Sequence, residues 1–245
     1  MPTHQGEKAP GARPEFDNLM EDMFGLSVRA GQTMWDVLVR PAKVAEYART
    51  IDWNSTYTPT VRLTFSILTL MLLLSFFWAG EASPFYQIMS QFIQQSAAET
   101  LPEDMLKPLV DDYFAKFLFI YPISYMVIHG LIGGLVRVWG KDAGYVVRLR
   151  LYFLVLSVGI LFVLLNAAIY PFLSPEAFVV VSNIGTVLVI LIYAMVHWRA
   201  TSNQFTPKAR AWRSVLLALI VVSVDLAISF AAASGAMLWT LMESA

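Results

Sequence analysis

Cysteine and charged residues are what this 245-residue chain has least of. It contains no cysteine, which excludes disulfides, cysteine-ligated zinc, iron–sulfur clusters and thiol nucleophiles within it. Only 14% of its residues are charged, whereas soluble domains carry about 25%. That is too few to cover a water-facing surface. The formal net charge of −1 also offers no basic surface of the kind that binds nucleic acid.

The sequence motifs of common catalytic sites are missing as well. There is no HExxH zinc motif, no GxxxxGK[ST] phosphate loop, no GxSxG nucleophile elbow and no GxGxxG dinucleotide loop. Histidine is scarce too, because His4 lies in a polar tail and His197 at the end of a span, which leaves His129 alone inside the membrane. A haem held by two histidines would lack its second ligand, although a haem or chlorin metal could bind His129 from one side. We predict a protein that is not an enzyme and holds no metal or cofactor.

Long apolar runs dominate the sequence instead: 57% of its residues are hydrophobic, and its mean hydropathy is +0.59. A span needs to cross a bilayer core of about 30 Å at a rise of about 1.5 Å per residue. Five segments are long enough, namely Val61–Ala79, Phe114–Val136, Leu151–Leu173, Ala177–Val196 and Ser214–Trp239. The pattern predicts an all-α, polytopic transmembrane bundle of five spans over residues 61–245.

The basic residues predict how these spans are oriented. Of the 17 Lys and Arg, only Lys107 and Lys116 lie in the stretch from the end of the first span to the first residues of the second. The others lie before the first span up to Arg62, in the loop 137–150, or in the loop 199–213. Five spans put these three regions on one side of the membrane, which the positive-inside rule identifies as cytoplasmic. We therefore expect a cytoplasmic N-terminus, an external C-terminus and a bacterial inner membrane as the location.

Tryptophan positions agree with these span boundaries. An indole ring is amphipathic and is enriched where the bilayer core meets the headgroups. Five of the seven tryptophans lie at predicted span ends: Trp78, Trp139, Trp198, Trp212 and Trp239. We expect these five side chains to act as interface anchors.

Two regions precede the first span. Residues 1–15 are polar and contain Gly and Pro, which predicts a flexible tail. Residues 16–60 contain apolar residues at helical spacing mixed with basic ones, and Pro41 should end one short helix and begin another. We expect amphipathic helices on the cytoplasmic membrane surface. A docking surface for a partner protein is a compatible alternative.

The loop after the first span contains a further helical pattern over residues 85–98. One face of this helix is apolar and comprises Phe85, Ile88, Met89, Phe92 and Ile93. Uncharged glutamines cover most of the remaining surface. Such a pattern predicts an interfacial helix on the outer leaflet.

Four histidine, aspartate or asparagine side chains lie inside the predicted spans, where an ionisable or amide group costs energy and needs a reason. Asp225 lies near the bilayer centre and His129 slightly to its cytoplasmic side, so the two could form a pair that carries protons or binds a cation. Asp225 could equally be protonated and bonded to Ser223 or to a backbone carbonyl. Asn166 and Asn183 lie at similar depth in adjacent antiparallel spans, which predicts a hydrogen bond between them.

Small residues at four-residue spacing predict which spans touch. They are Gly130 and Gly134 in the second span and Ala227, Ala231 and Gly235 in the fifth. Such spacing lets two helix backbones approach closely. A contact between these two faces would also bring Asp225 and His129 toward each other.

Two segments carry a resemblance to a known family. They are TMWDVLVRPAKVAEYART (Thr33–Thr50), before the first span, and HGLIGGLVRVWGKDAGYVVRLRLY (His129–Tyr152), around the loop between the second and third spans. Together with five spans and a cytoplasmic N-terminal region, they resemble the Yip family of five-span membrane proteins and its bacterial relatives of unknown function. The resemblance covers Met34–Trp239 and implies, for eukaryotic members, vesicle trafficking with contacts to small GTPases. The long outer loop and the proline-containing tail depart from that pattern and count against a GTPase adaptor.

Potential docking surfaces without a catalytic constellation favour a non-enzymatic role. We predict an integral membrane scaffold or accessory subunit that associates with other membrane proteins or with itself, in contact with lipid and not with nucleic acid. The alternative is a small proton- or cation-coupled transporter or channel subunit that uses Asp225 and His129. Exposure of Asp225 to lipid, or its burial away from any cavity, would exclude this alternative.

Overall fold

The computed structural model describes residues 28–78, 80–81, 83–96 and 103–244, apart from the side chains of a few residues at helix ends. The predicted tail at residues 1–15 and the predicted helical residues 16–27 lie outside the described residues. Over the described ranges the chain forms helices joined by turns, without a strand. The predicted all-α class is therefore confirmed.

The described residues contain nine α-helices and one 3-10 turn. The helices are α1 (Val28–Val39), α2 (Pro41–Tyr47), α3 (Trp53–Thr56), α4 (Thr60–Trp78), α5 (Pro84–Ser96), α6 (Glu103–Leu135), α7 (Tyr145–Ala167), α8 (Pro175–Ala200) and α9 (Pro207–Ser244). The 3-10 turn, Tyr170–Phe172, joins α7 to α8.

Four of these helices are long and apolar enough to cross a membrane. Their apolar stretches are Asp104–Leu135 in α6, Tyr145–Phe172 in α7 and the turn after it, Pro175–Ala200 in α8 and Pro207–Glu243 in α9. The apolar stretch found in α4, Thr60–Leu74, is shorter. The chain is thus a helical integral membrane protein, while the fifth span and the orientation stay predictions.

Helix α7 lies at the centre of the bundle. It packs against α4, α6, α8 and the short helix α1, and more than half of its residues are buried. A Cβ atom on Gly159 would lie 2.2 Å from Cε1 of Tyr193 on α8, so only glycine lets that ring lie against α7. Between α4 and α7, the hydroxyls of Thr64 and Ser157 are hydrogen-bonded at 2.8 Å.

The short helices before α4 fold onto one end of the bundle. Pro41 is the first residue of α2, so it separates α1 from α2. Ala30 and Met34 of α1 and Val44 of α2 are buried in the main hydrophobic core. The side chain of Trp35, which is 66% exposed, lies on the other side of α1. The apolar face of these helices therefore covers the ends of the bundle helices.

Arginines of the long helices bind the carbonyl ends of the short ones. Arg199, at the end of α8, donates through Nη1 and Nη2 to the carbonyl oxygens of Leu38 and Val39, at 2.7 and 2.9 Å. Arg150 of α7 donates through Nη1 to the carbonyl oxygen of Ala48 at 3.2 Å. The last carbonyls of a helix have no partner within it. These guanidinium contacts therefore hold α1 and α2 in place.

Similar contacts join the loops at this end of the bundle. Arg213 of α9 donates to the carbonyl oxygen of Val138 in the loop between α6 and α7, at 3.0 Å. Arg49, which follows α2, donates to the carbonyl oxygen of Trp139 at 3.0 Å and to Oε1 of Gln204 at 2.6 Å. The three basic regions of the sequence therefore meet at one end, which we call the basic end.

The opposite end is formed by α5, the first part of α6 and the end of α9. The ring of Tyr86 on α5 stacks on Phe114 of α6 with centroids 5.6 Å apart, and its hydroxyl donates to Oδ1 of Asp111 at 3.0 Å. Burial, followed by this hydrogen bond, raises the pKa of Tyr86 to about 12. Lys116 of α6 binds Glu243 of α9 at 2.6 Å. Helix α4 thus starts at the basic end, and the chain after it reaches the opposite end.

Candidate functional site

Asp225 and His129 meet in the interior of the bundle. Nε2 of His129, on α6, lies 2.8 Å from Oδ1 of Asp225, on α9. The side chain of His129 is completely buried, whereas 24% of the Asp225 side chain is exposed. The two residues therefore form a pair, with the carboxylate on the accessible side and the imidazole behind it.

Tyr152 of α7 extends this pair. Its hydroxyl lies 2.8 Å from Nδ1 of His129, and its side chain is fully buried. A neutral imidazole has one donor and one acceptor nitrogen. With an ionised Asp225, Nε2–H donates to the carboxylate and Nδ1 accepts from the Tyr152 hydroxyl. The three side chains thus form one hydrogen-bonded chain across three helices.

Gly133 makes room for Tyr152. A Cβ atom at this position would lie 2.7 Å from Cδ1 of the Tyr152 ring, so a larger residue would displace the ring. Sequence reasoning singled out Gly130 and Gly134 and passed over Gly133. The spacing of residues along one helix does not show a contact with a ring on another.

Tyrosines surround the buried imidazole. The ring centroid of Tyr125 lies 4.2 Å from that of His129, and the ring of Tyr121 lies 5.7 Å from Tyr125. Tyr193 of α8 is 1% exposed and belongs to the same core. Sequence reasoning missed these residues, although Tyr121, Tyr125 and His129 repeat every four residues on one helix face. That repeat of polar aromatic groups inside a span was the available signal.

A cleft of about 220 Å³ opens beside Asp225. Residues of α4, α6, α7, α8 and α9 line it, and its polar lining includes Asp225, Asn166, Ser182, Thr186 and Ser229. This volume admits several water molecules at about 30 Å³ each. The imidazole of His129 lies behind the cleft wall. Water or an ion in the cleft therefore meets Asp225, whereas His129 is not among the residues that line it.

The predicted hydrogen bond between Asn166 and Asn183 is not formed. Nδ2 of Asn166 donates instead to the carbonyl oxygen of Phe162 on its own helix, at 2.8 Å. The side chain of Asn183 is exposed on α8, and Ser182 and Gly185 line the cleft at that level. The rotation of α8 about its axis turns Asn183 away from α7 and leaves it exposed.

The two alanines predicted at the contact face of α9 do not lie on its buried side, and the buried stripe is shifted by one residue. Ala227 and Ala231 are exposed. The residues that α9 buries at this level are Ile228, Ala232 and Ala236. Helix α9 does pack against α6, but it uses the neighbouring stripe of side chains.

The glycines of the predicted contact differ from one another. A Cβ on Gly134 would lie 2.0 Å from Cε2 of Tyr145, so this glycine accommodates a ring of α7 rather than the backbone of α9. Nothing lies within 4 Å of a Cβ on Gly130. On α9, a Cβ on Gly235 would lie 3.9 Å from Cδ1 of Ile120, an ordinary contact with α6. None of the three therefore brings two backbones together in the predicted way.

The tryptophans predicted as interface anchors have different surroundings. Trp212 and Trp239 are 54% and 41% exposed, and Trp198 is half-buried. Trp139 is 1% exposed and belongs to the main core, which corrects its prediction. The centroid of its ring lies 4.5 Å from that of His197 on α8. The side chain of Trp78 lies outside the described residues.

No family model, curated protein or solved structure matches this chain. The resemblance to the Yip family therefore stays a prediction, and a function has to be argued from the site. Among the residues that the structure describes, no group of three or more histidine and acidic side chains could hold a metal ion. What the site offers is a titratable pair at the wall of a cleft, backed by a buried tyrosine hydroxyl.

Proposed function

We propose that this chain is a small proton- or cation-coupled translocation subunit that works through Asp225 and His129. The position of Asp225 supports the proposal, because its carboxylate lines the cleft and is hydrogen-bonded to the buried imidazole. Ionisable pairs inside a membrane are costly and mark ion pathways and proton relays. A pair with one member accessible and the other enclosed suits a stepwise transfer.

The pair provides two hydrogen-bonded states. In the first, Asp225 is ionised and accepts a hydrogen bond from Nε2–H of His129. In the second, a proton or a cation from the cleft neutralises the carboxylate and weakens that bond. Because the pair joins α6 to α9, and Tyr152 joins it to α7, occupancy of the carboxylate changes the contact between three helices. A ligand shifts a conformational equilibrium only through such a difference in contacts.

Proton flux into liposomes tests the proposal. Wild-type protein is reconstituted into vesicles that contain a pH-sensitive dye. Under an imposed pH, Na⁺ or K⁺ gradient, the internal pH of these vesicles is expected to change faster than that of protein-free vesicles. Asp225→Asn should abolish the difference, because the amide keeps the shape and a hydrogen bond but cannot exchange a proton at neutral pH. A flux equal to that of wild type in Asp225→Asn would overturn the proposal.

Asp142→Asn is the matched control for this experiment. This variant makes the same substitution at an exposed aspartate in the loop between α6 and α7. It lies at the basic end, away from the cleft beside Asp225. This variant should keep the wild-type flux, so that a loss in Asp225→Asn reports the site rather than the removal of one negative charge.

The proposal includes five spans in a bacterial inner membrane, with the basic end cytoplasmic. The path of α4 from the basic end toward α5 supports a fifth crossing, and the clustered Arg and Lys support the orientation. Because the chain has no cysteine, a single introduced cysteine can report on which side of the membrane its position lies. In intact cells a membrane-impermeant thiol reagent should label Gln91→Cys on α5 and not Lys141→Cys at the basic end. The reverse labelling would contradict the orientation.

A role as a scaffold or accessory subunit is the second candidate. Apolar side chains exposed at the basic end favour it, since Val28, Trp35 and Ile51 are 64%, 66% and 96% exposed. Purification from native membranes in mild detergent, followed by the mass of the intact complex, tests it. A stoichiometric partner that is lost in Trp35→Gln would support this role. If wild type and variant both had the mass of the chain alone, the result would contradict it.

A further inference from the structure

A basic pocket lies between α2, the end of α8 and the start of α9. Its volume is about 450 Å³. Its charged lining residues are Arg40, Lys43, Arg199 and Arg210, and its other lining includes Trp198 and Ser202. All four charged residues are cationic, and no acidic side chain belongs to the lining. The pocket therefore attracts an anion.

Two of the four cations are held in place by the fold. The guanidinium of Arg199 is fixed by its hydrogen bonds to the carbonyl ends of α1, which use two of its five N–H groups. The guanidinium carbon of Arg210 lies 4.0 Å from the ring centroid of Trp198, and its Nε is buried without a hydrogen-bond partner among the described residues. Both groups are thus ordered before any ligand binds, which lowers the entropy cost of binding.

The other two cations lie on the α2 side of the pocket. Arg40 and Lys43 are exposed, one just before α2 and one in its first turn. Within the described residues neither side chain takes part in an ion pair or a hydrogen bond. They can therefore turn toward an anion in the pocket without breaking a described hydrogen bond or ion pair.

The position of the pocket relative to the apolar helices indicates the source of the anion. The apolar stretch of α8 ends at Ala200, and Trp198 and Arg199 form its last turn. Tryptophan and arginine at the end of an apolar stretch mark the depth of the lipid headgroups. Basic pockets between membrane helices at this depth are suited to phosphate headgroups.

We propose that this pocket binds the phosphate of an anionic phospholipid. Guanidinium groups match the geometry of phosphate oxygens and bind them through paired, charge-assisted hydrogen bonds. Arg199 and Arg210 form the fixed wall of the site, and Arg40 and Lys43 close over the headgroup. Since Arg199 also binds α1 and Arg40 precedes α2, a bound lipid would stabilise the short helices on the bundle.

Lipid retention in nanodiscs tests the proposal with the full chain. Wild-type protein is first placed in discs that contain phosphatidylcholine and phosphatidylglycerol and is then transferred to discs of phosphatidylcholine alone. Native mass spectrometry counts the phosphatidylglycerol molecules that stay bound to the protein. The double variant Arg40→Gln/Lys43→Gln removes two cations whose side chains take part in no described hydrogen bond or ion pair. It should retain phosphatidylglycerol about tenfold less well or worse, as expected from the loss of two surface cations.

The matched control is Lys141→Gln/Lys208→Gln. It removes the same charge from two exposed residues at the basic end that do not line the pocket. Selective loss in the pocket variant would support the proposal, whereas equal retention by wild type and the pocket variant, or equal loss in the control, would overturn it. Displacement of the retained lipid by millimolar inorganic phosphate, without preference for phosphatidylglycerol, would also overturn the lipid assignment in favour of a soluble phosphate.

Discussion

The imidazole of His129 and the carboxylate of Asp225 lie 2.8 Å apart although 96 positions separate them in the chain. They come from α6 and α9, two helices that pack along much of their length. The carboxylate borders a cleft and the imidazole is enclosed by tyrosines. A carboxylate in this position has an accessible side for exchange and a buried side for coupling to the helices.

Loss of the Tyr152 hydroxyl should destabilise the protein without changing its fold. In Tyr152→Phe the buried Nδ1 of His129 loses its partner, and an unsatisfied buried group costs about 1–3 kcal/mol. Thermal unfolding in detergent, followed by circular dichroism, measures the effect. Tyr145→Phe is the matched control, because Tyr145 is 51% exposed. An equal melting temperature for Tyr152→Phe and wild type would contradict the hydrogen bond.

Gly159 should not tolerate alanine. A Cβ there would lie 2.2 Å from the Tyr193 ring, and overpacking in a core costs about 1–3 kcal/mol. Gly130→Ala provides the comparison within another long helix, since nothing lies within 4 Å of its Cβ. We expect Gly159→Ala to lower the melting temperature and Gly130→Ala to leave it unchanged or raised. The opposite order would favour the packing predicted from the GxxxG spacing.

Arg150 should control the exposure of the helices before α4. Its guanidinium binds the carbonyl oxygens of Ala48 and Thr50 at 3.2 and 3.1 Å, so Arg150→Gln leaves the end of α2 without these donors. Amide hydrogen exchange over residues 41–57 should become faster, because local opening costs less. Arg137→Gln, at an exposed position in the loop between α6 and α7, is the control. Unchanged protection in Arg150→Gln would show that apolar packing alone holds α2.

Alkaline pH should destabilise the protein through Tyr57, which precedes α4. Burial, with the hydrogen bond to Asp36 as the second cause, raises the pKa of Tyr57 to about 12. A group with a raised pKa contributes stability that is complete below its unfolded value of about 10 and is lost as the pH rises through the folded value. Between pH 10 and 12 wild type should lose more stability than Tyr57→Phe. Parallel melting curves for the two proteins across this range would refute the prediction.

The positions of the long helices could largely be predicted from the sequence. Each predicted span falls mainly within one helix, from Val61–Ala79 in α4 to Ser214–Trp239 in α9. Helix α6 nevertheless begins at Glu103, before its predicted span at Phe114, because polar residues at the end of a bundle can continue a helix beyond the apolar stretch. Length and hydropathy are local properties, and they report where an apolar helix exists.

The site could be predicted only in part. The depths of Asp225 and His129 follow from their distances to the span ends, and the pair follows if their helices touch. The contribution of Tyr152 could not be predicted, because it depends on how α7 is rotated and on the space at Gly133. The same rotation decides that Asn183 faces away from Asn166.

The sequence by itself determined the helical membrane class, the positions of the apolar helices and the place of each polar side chain along them. Tertiary structure alone decided which face of each helix is turned inward. Lipid chains are as apolar as the protein core, so the residues that face lipid and the residues that face the core are similarly hydrophobic. The sequence of a membrane helix therefore does not mark which face is buried. For that reason Ala227 and Ala231 were predicted at a contact that Ala232 and Ala236 make.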